Sequence, residues 1–69
     1  IGSHVHLAPG VTISGGVQVA DDVHIGAGAT IIQEIRIGKK CLIGAGSLVL
    51  NDVKDGATVF GVPAREAKR

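Results

Sequence analysis

The chain has 69 residues, 45% of them apolar, yet it holds one Phe and no Trp, Tyr or Met, so a globular core built on large side chains is excluded. A net charge of +1 offers no field for nucleic acid or a membrane surface, and the single Cys41 excludes a disulfide framework or a thiolate metal cluster. There is no 18-residue apolar run and no signal-peptide pattern, which sets a cytoplasmic expectation.

Written in sixes from Ile1, the chain reads IGSHVH, LAPGVT, ISGGVQ, VADDVH, IGAGAT, IIQEIR, IGKKCL, IGAGSL, VLNDVK. Every hexad starts with Ile, Leu or Val. The fifth place is small or aliphatic throughout, from Val5 to Val53. Charges within 1–54 fall only at the third, fourth and sixth places. A six-residue period drifts around an α-helix, whose apolar stripe needs 3.6-residue spacing. It fits a short strand, a turn of about 120°, and repetition, so that three sides return the chain one strand spacing of ~4.8 Å further on. The first-place aliphatics then fill a triangular prism, and the narrow bore demands small fifth-place residues. Glycine and Pro9 fall at the corners.

In chain order, the first coil spans 1–18, the second 19–36 and the third 37–54. The second coil ends in "IIQEIR", where Ile32 and Glu34 replace the corner glycines. Residues 55–69, "DGATVFGVPAREAKR", leave the frame and carry the only Phe. They are expected as an extended exit segment and cap, with Pro63 able to begin a short charged helix. Such a stack is quasi-one-dimensional and needs capped ends.

At this point the sequence resembles the hexapeptide-repeat acyltransferases, which implies a left-handed parallel β-helix. That hand runs against the usual crossover rule and comes from the resemblance alone. "HLAPGVTISGGV", the two "IGAG" segments and "DGATVFGVPAR" are most similar to the sialic acid O-acetyltransferase (NeuD-like) group of sugar O- and N-acyltransferases. The resemblance implies acetyl transfer from acetyl-CoA to a sugar or nucleotide-sugar, and a homotrimer with sites between neighbouring prisms. It also implies a nucleotide-sugar-binding domain upstream. Two rivals stand beside this reading. One is a minimal β-helix serving as an oligomeric scaffold; the other is a hexapeptide branch acting on serine or antibiotics.

The family's general base precedes an Ile-Gly hexad start, a few residues ahead of the position that Ile1 matches. No catalytic residue is therefore expected within the 69, and acetyl transfer by this stretch alone is expected to be absent or nearly so. His6 matches a second family histidine, one that contacts acetyl-CoA; read from the residues alone, it is an outward imidazole. Ala27 and Ala45, each inside an "IGAG" and 18 residues apart, match positions whose main chain contacts the coenzyme. Gly15, in "SGGV", is placed near the same groove by resemblance. His4 matches no functional residue and reads as a solvated corner. His24 stands one coil above His6, but two histidines without a third ligand make no metal site, and no metal is expected. The spacing also disfavours a zinc hydro-lyase. Cys41 reads as inert core. Arg65, Lys68 and Arg69 form a basic end that reads as a solvated tail more readily than as a phosphate contact.

Overall fold

The structure is a computed structural model and describes residues 1–67. It is all-β, with no helix among those residues. Three faces of two-residue strands wind about a common axis. Face 1 holds β1 (His6–Leu7), β4 (His24–Ile25), β7 (Leu42–Ile43) and β9 (Thr58–Phe60). Face 2 holds β2 (Thr12–Ile13), β5 (Thr30–Ile31) and β8 (Leu48–Val49); face 3 holds β3 (Gln18–Val19) and β6 (Arg36–Ile37). Every pairing between successive coils is parallel, and the 18-residue register runs from His6↔His24 to Ile31↔Val49. This is a parallel β-solenoid of about three turns, consistent with the left-handed β-helix that the resemblance implies.

The repeat works as its chemistry suggests. Val19, Ile25, Ile31, Ile37, Ile43 and Val49, all first-place residues, are buried along the axis. Val23, Ala29, Ile35, Cys41 and Ser47, all fifth-place, are buried between them. No core residue is larger than Ile, so the bore closes only because each layer is thin. In the first coil Val5, Val11, Ile13 and Val17 are only partly buried against this core, and Leu7 is 43% exposed. Fourth-place residues from His4 to Gly46 all have positive φ, so one backbone conformation turns each corner.

The frame differs from the expected one near its end. Val53 pairs with Ile37, and Thr58 and Val59 pair with Leu42 and Ile43, a register of 16 rather than 18. The ninth hexad is thus two residues short. Val53 takes a first place, not the expected fifth, and the period resumes as VKDGAT and VFGVPA. Gly56, with φ 74°, is then a fourth-place corner, and Ala57 a buried fifth-place residue. The excision falls at Asn51–Asp52, where the Asp52 carboxylate accepts a hydrogen bond from the Arg36 N–H at 2.9 Å.

The exit segment takes the extended form. Instead of a helix from Pro63, residues 61–64 turn and β10 (Arg65–Glu66) runs antiparallel along β9. The Leu48 N–H donates to the Gly61 carbonyl at 3.0 Å, and the Ala64 N–H donates back to the Leu48 carbonyl at 2.7 Å. Lys54 and Glu66 add a 3.4 Å ion pair. Together these cover the edge that the last coil would otherwise expose. Lys68 and Arg69, part of the expected basic tail, lie outside the described residues. Among the described residues no helix is long and apolar enough to cross a membrane.

Candidate functional site

The three corner columns differ in chemistry. The corner between faces 1 and 2 stacks Gly10, Gly28 and Gly46 at its fourth place, with Pro9, Ala27 and Ala45 at its third. Beneath them the second-place column runs Ala8, Gly26, Gly44 and then Phe60, whose Cβ rests where a side chain on Gly44 would be. The coils are tied by Gly28 N–H to Pro9 carbonyl at 3.1 Å and Gly46 N–H to Ala27 carbonyl at 2.8 Å. Among the described residues the N–H groups of Ala27 and Ala45 have no intramolecular partner. Both alanines are exposed, and open space surrounds Gly28 and Gly46. The result is a strip of bare backbone along the prism.

The corner between faces 3 and 1 is built oppositely. Its fourth place stacks His4, Asp22 and Lys40, all with positive φ despite carrying side chains. The His4 Nδ1 lies 3.8 Å from the Asp22 carboxylate, in solvent. At its third place, Asp21 accepts from the Ser3 N–H at 2.7 Å and Asp55 accepts from the Lys39 N–H at 2.8 Å. Each aspartate reaches down over a glycine, Gly2 or Gly38, whose missing Cβ makes room for the carboxylate. Here the Ser3 and Lys39 donors are filled by the protein's own side chains, while that of Asp21 has no partner among the described residues.

The residues singled out in the sequence are distributed as follows. His6 lies on β1, the strand that leads into the bare corner, and its ring stacks on His24 with centroids 4.5 Å apart and planes 16° from parallel. Ala27 and Ala45 stand above one another in that corner, one coil apart. Gly15 does not join them. It sits at the corner between faces 2 and 3, beside a groove of about 600 Å³ lined by Gly16, Gln18, Gln33, Glu34 and Arg36. Among the described residues no group of three His, Cys, Asp or Glu is placed to hold a metal ion. Cys41 is buried, donates to the Lys54 carbonyl at 3.1 Å, and has its thiol pKa raised by burial. A separate cavity of about 330 Å³ lies at the C-terminal end of the prism under β10, lined in part by Val53, Ala57 and Val59. Phe60, 57% exposed at the head of the bare corner, escaped the sequence reading because the two-residue excision hid its column. A frame shifted by two from Val53 onward would have found it.

The family described as "Bacterial transferase hexapeptide (six repeats)" matches residues 1–33. The chain is similar to a serine acetyltransferase of Neisseria gonorrhoeae solved in complex with serine. Identity is 43% over 93% of this chain and 29% of that one, with a TM-score of 0.89. The hexapeptide-repeat transferase family is supported. A hexapeptide-repeat acetyltransferase of Vibrio cholerae O1 biovar eltor, complexed with acetyl coenzyme A, is 26% identical over 96% of this chain and 46% of that one, at a TM-score of 0.90. The acetyltransferase domain of PglB from Neisseria gonorrhoeae FA1090 is 36% identical over 91% of this chain and 31% of that one, at 0.89. No curated protein matches significantly. The chain thus spans about a third to a half of the length of these solved structures.

Proposed function

We propose that the chain is the β-helical part of an acetyl-CoA-dependent acetyltransferase, with the coenzyme lying along the bare corner between faces 1 and 2. The observation that carries this reading is the contrast between corners. The donors of Ser3 and Lys39 are capped by aspartates, whereas those of Ala27 and Ala45 are left bare amid glycines. Backbone N–H groups one coil apart suit the amide carbonyls of a pantetheine arm, which carries acceptors in series and needs close approach more than charge. The likeness to serine acetyltransferase in complex with CoA, at 47% identity, supports the same ligand.

His6 is the side chain beside the coenzyme in this reading, and Gly15 reaches the ligand only if a neighbouring prism brings its corner alongside. The outward residues favour that packing. Faces 1 and 2 carry Leu42 and Leu48, whereas face 3 carries Gln18, Arg36 and Asp52. A threefold assembly of the chain covers the first two faces and leaves the third in water. In the reaction, an acceptor hydroxyl or amine attacks the thioester carbonyl. The acceptor loses its proton to a base, the C–S bond breaks and the coenzyme leaves as its thiol. Main-chain donors are suited to steady the charge on the carbonyl oxygen. The acceptor is a small polar molecule. The NeuD-like motifs point to a sugar or nucleotide-sugar, and the 43% likeness to a serine-bound enzyme points to an amino-acid hydroxyl.

Titration calorimetry with acetyl-CoA is the test. His6→Ala should weaken binding by about 1–2 kcal/mol, one hydrogen bond to a charged ligand, and Ala27→Val should weaken it comparably by blocking approach to the strip. Unchanged affinity in both variants overturns the placement. A trimer by sedimentation that binds no coenzyme at all leaves the scaffold reading instead. Turnover of the whole protein on serine and on an amino-sugar panel separates the two acceptors.

A further inference from the structure

The sixth-place column of face 1 runs His6, His24, Leu42 and Thr58, one residue per coil. Two imidazoles therefore stand side by side on paired strands, and both are exposed. Their centroids lie 4.5 Å apart and their planes are 16° from parallel, at the close end of ring-on-ring contact. Successive coils are separated along the prism axis by ~4.8 Å. Rings stacked at that spacing lie across the axis. Each turns its face to the coil above or below and its edge, which carries the nitrogens, sideways. β1 lies at the edge of its sheet and pairs with β4 alone, so among the described residues His24 is the one cross-strand neighbour of His6. Among the described residues neither ring makes a hydrogen bond or an ion pair, in contrast to His4 beside the Asp22 carboxylate. The stack is thus the contact that sets the plane of the His6 ring, and it leaves the ring nitrogens free.

We infer that His24 is a positioning residue for His6: its ring holds the His6 imidazole edge-on to the bare corner and does not itself touch the coenzyme. This rests on the reading that His6 stands beside the coenzyme. The strip of Ala27 and Ala45 runs along the axis, so a ligand lying on it meets a nitrogen of His6 only where the ring lies across that axis. An imidazole on the outside of an edge strand is free to rotate about both side-chain torsions, and a hydrogen bond to it must first stop that motion. A ring stacked beneath the ligand's path stops it in advance. The choice of partner matters. A carboxylate would occupy one nitrogen, as Asp22 does beside His4, and an aliphatic side chain would set no plane. What His24 supplies is its ring face, not its own nitrogens.

The experiment measures acetyl-CoA affinity of the full chain by calorimetry, with denaturant unfolding of each variant as a check on the fold. His6→Ala sets the scale with a loss of about tenfold, one hydrogen bond to a charged ligand. His24→Ala and His24→Leu should each weaken binding about threefold, the cost of immobilising one loose side chain. His24→Phe keeps a ring face and has no nitrogen, and it should keep the parent affinity. In the His6→Ala background, His24→Ala should cost nothing more, because its effect runs through His6. Unchanged affinity in His24→Ala, with His6→Ala impaired, overturns the positioning and spares the place of His6. A loss in His24→Phe equal to that in His24→Ala means that a nitrogen of His24 touches the coenzyme, and overturns it. Losses that add in the double variant give His24 an effect independent of His6, through the fold or the corner, and overturn it too. Unchanged affinity in His6→Ala removes the reading beneath it as well.

Discussion

Two corners of one prism solve the same turn differently. Between faces 3 and 1, left-handed backbone is forced on His4, Asp22 and Lys40, and aspartates reach down to fill the N–H groups of the coil below. Between faces 1 and 2, glycines take that conformation and nothing fills the donors of Ala27 and Ala45. A non-glycine residue in the left-handed region costs on the order of 1 kcal/mol. Glycine at a corner relieves that strain but adds freedom to the unfolded chain, so stability alone decides little between the two. Both corners face water, yet one keeps side chains at its fourth place and the other is stripped of them. The bareness of the Ala27 and Ala45 donors amid glycines is what the proposed coenzyme placement rests on.

The strongest way to break the comparison is to close the gap that lets one coil settle on the next. A Cβ on Gly26 would meet the backbone of Ala45, which cannot swing aside as a side chain could. Gly26→Val should therefore destabilise the fold by about 3 kcal/mol, the upper range for overpacking, and denaturant unfolding by circular dichroism would measure it. Gly28→Ala has open space for its Cβ and only the dihedral to oppose it, so it should lose no more than about 1–2 kcal/mol. If the two variants unfold alike, close approach is not what Gly26 provides.

A sharper test turns one corner into the other. Ala45 stands one coil above Ala27 and over Gly26, as Asp55 stands above Lys39 and over Gly38. Ala45→Asp should therefore cap the Ala27 N–H with its carboxylate. The expected outcome is a fold at least as stable as the parent, with coenzyme affinity reduced more than tenfold by the filled donor and the added negative charge. The reciprocal change, Asp55→Ala, should cost about 1 kcal/mol, because the lost bond is to an exposed carboxylate in water. It should leave coenzyme affinity unmoved. Loss of affinity in Asp55→Ala would put the ligand on the wrong corner.

Most of the fold was legible because a six-residue period constrains every position at once. The inward sets, the three faces and the stacking of His24 over His6 all follow from counting from Ile1. The excision at Asn51–Asp52 was not legible, because "VLNDVK" still reads as a hexad: Val49 and Val53 fit the first and fifth places as well as they fit two successive first places. Only pairing distinguishes them. For the same reason Phe60 read as part of an extended exit segment, and Pro63 as able to begin a helix, when both continue the coil and its edge. Of the candidate site, Ala27 and Ala45 were visible in the twin "IGAG". The capping of Ser3 and Lys39 was not, since a third-place Asp looks like any exposed charge until the coil beneath it is known.

Cys41 gives a pH signature whose direction follows from its burial. Its thiol is buried and donates to the Lys54 carbonyl, and burial raises its pKa above the ordinary thiol value of 9.0. A raised acid pKa favours the neutral form in the folded chain, so the contribution is intact below the unfolded value. It is lost as pH climbs through that value and toward the folded one. Stability should hold level through neutrality and fall above about pH 9, and Cys41→Ala should remove that component of the fall. In the native chain iodoacetamide should modify Cys41 only at the rate of unfolding.

The smallest effect belongs to the charged corner itself. Lys40 carries left-handed dihedrals, φ 56°, with its side chain in solvent and its N–H donating to the Asp21 carbonyl at 2.9 Å. Lys40→Gly keeps that backbone bond and relieves the dihedral, but the unfolded chain gains freedom in return. The two terms nearly offset, so the net gain should be no more than about 0.5–1 kcal/mol. The same change at Asp22 removes the partner of His4, yet that pair is 3.8 Å apart and exposed, so its loss should not reverse the sign. Thermal unfolding of the two single variants and the double variant checks this: both singles should rise slightly and should add. A clear loss in Lys40→Gly would mean that this corner's side chains stabilise the coil directly, and that glycine was never its cheaper alternative.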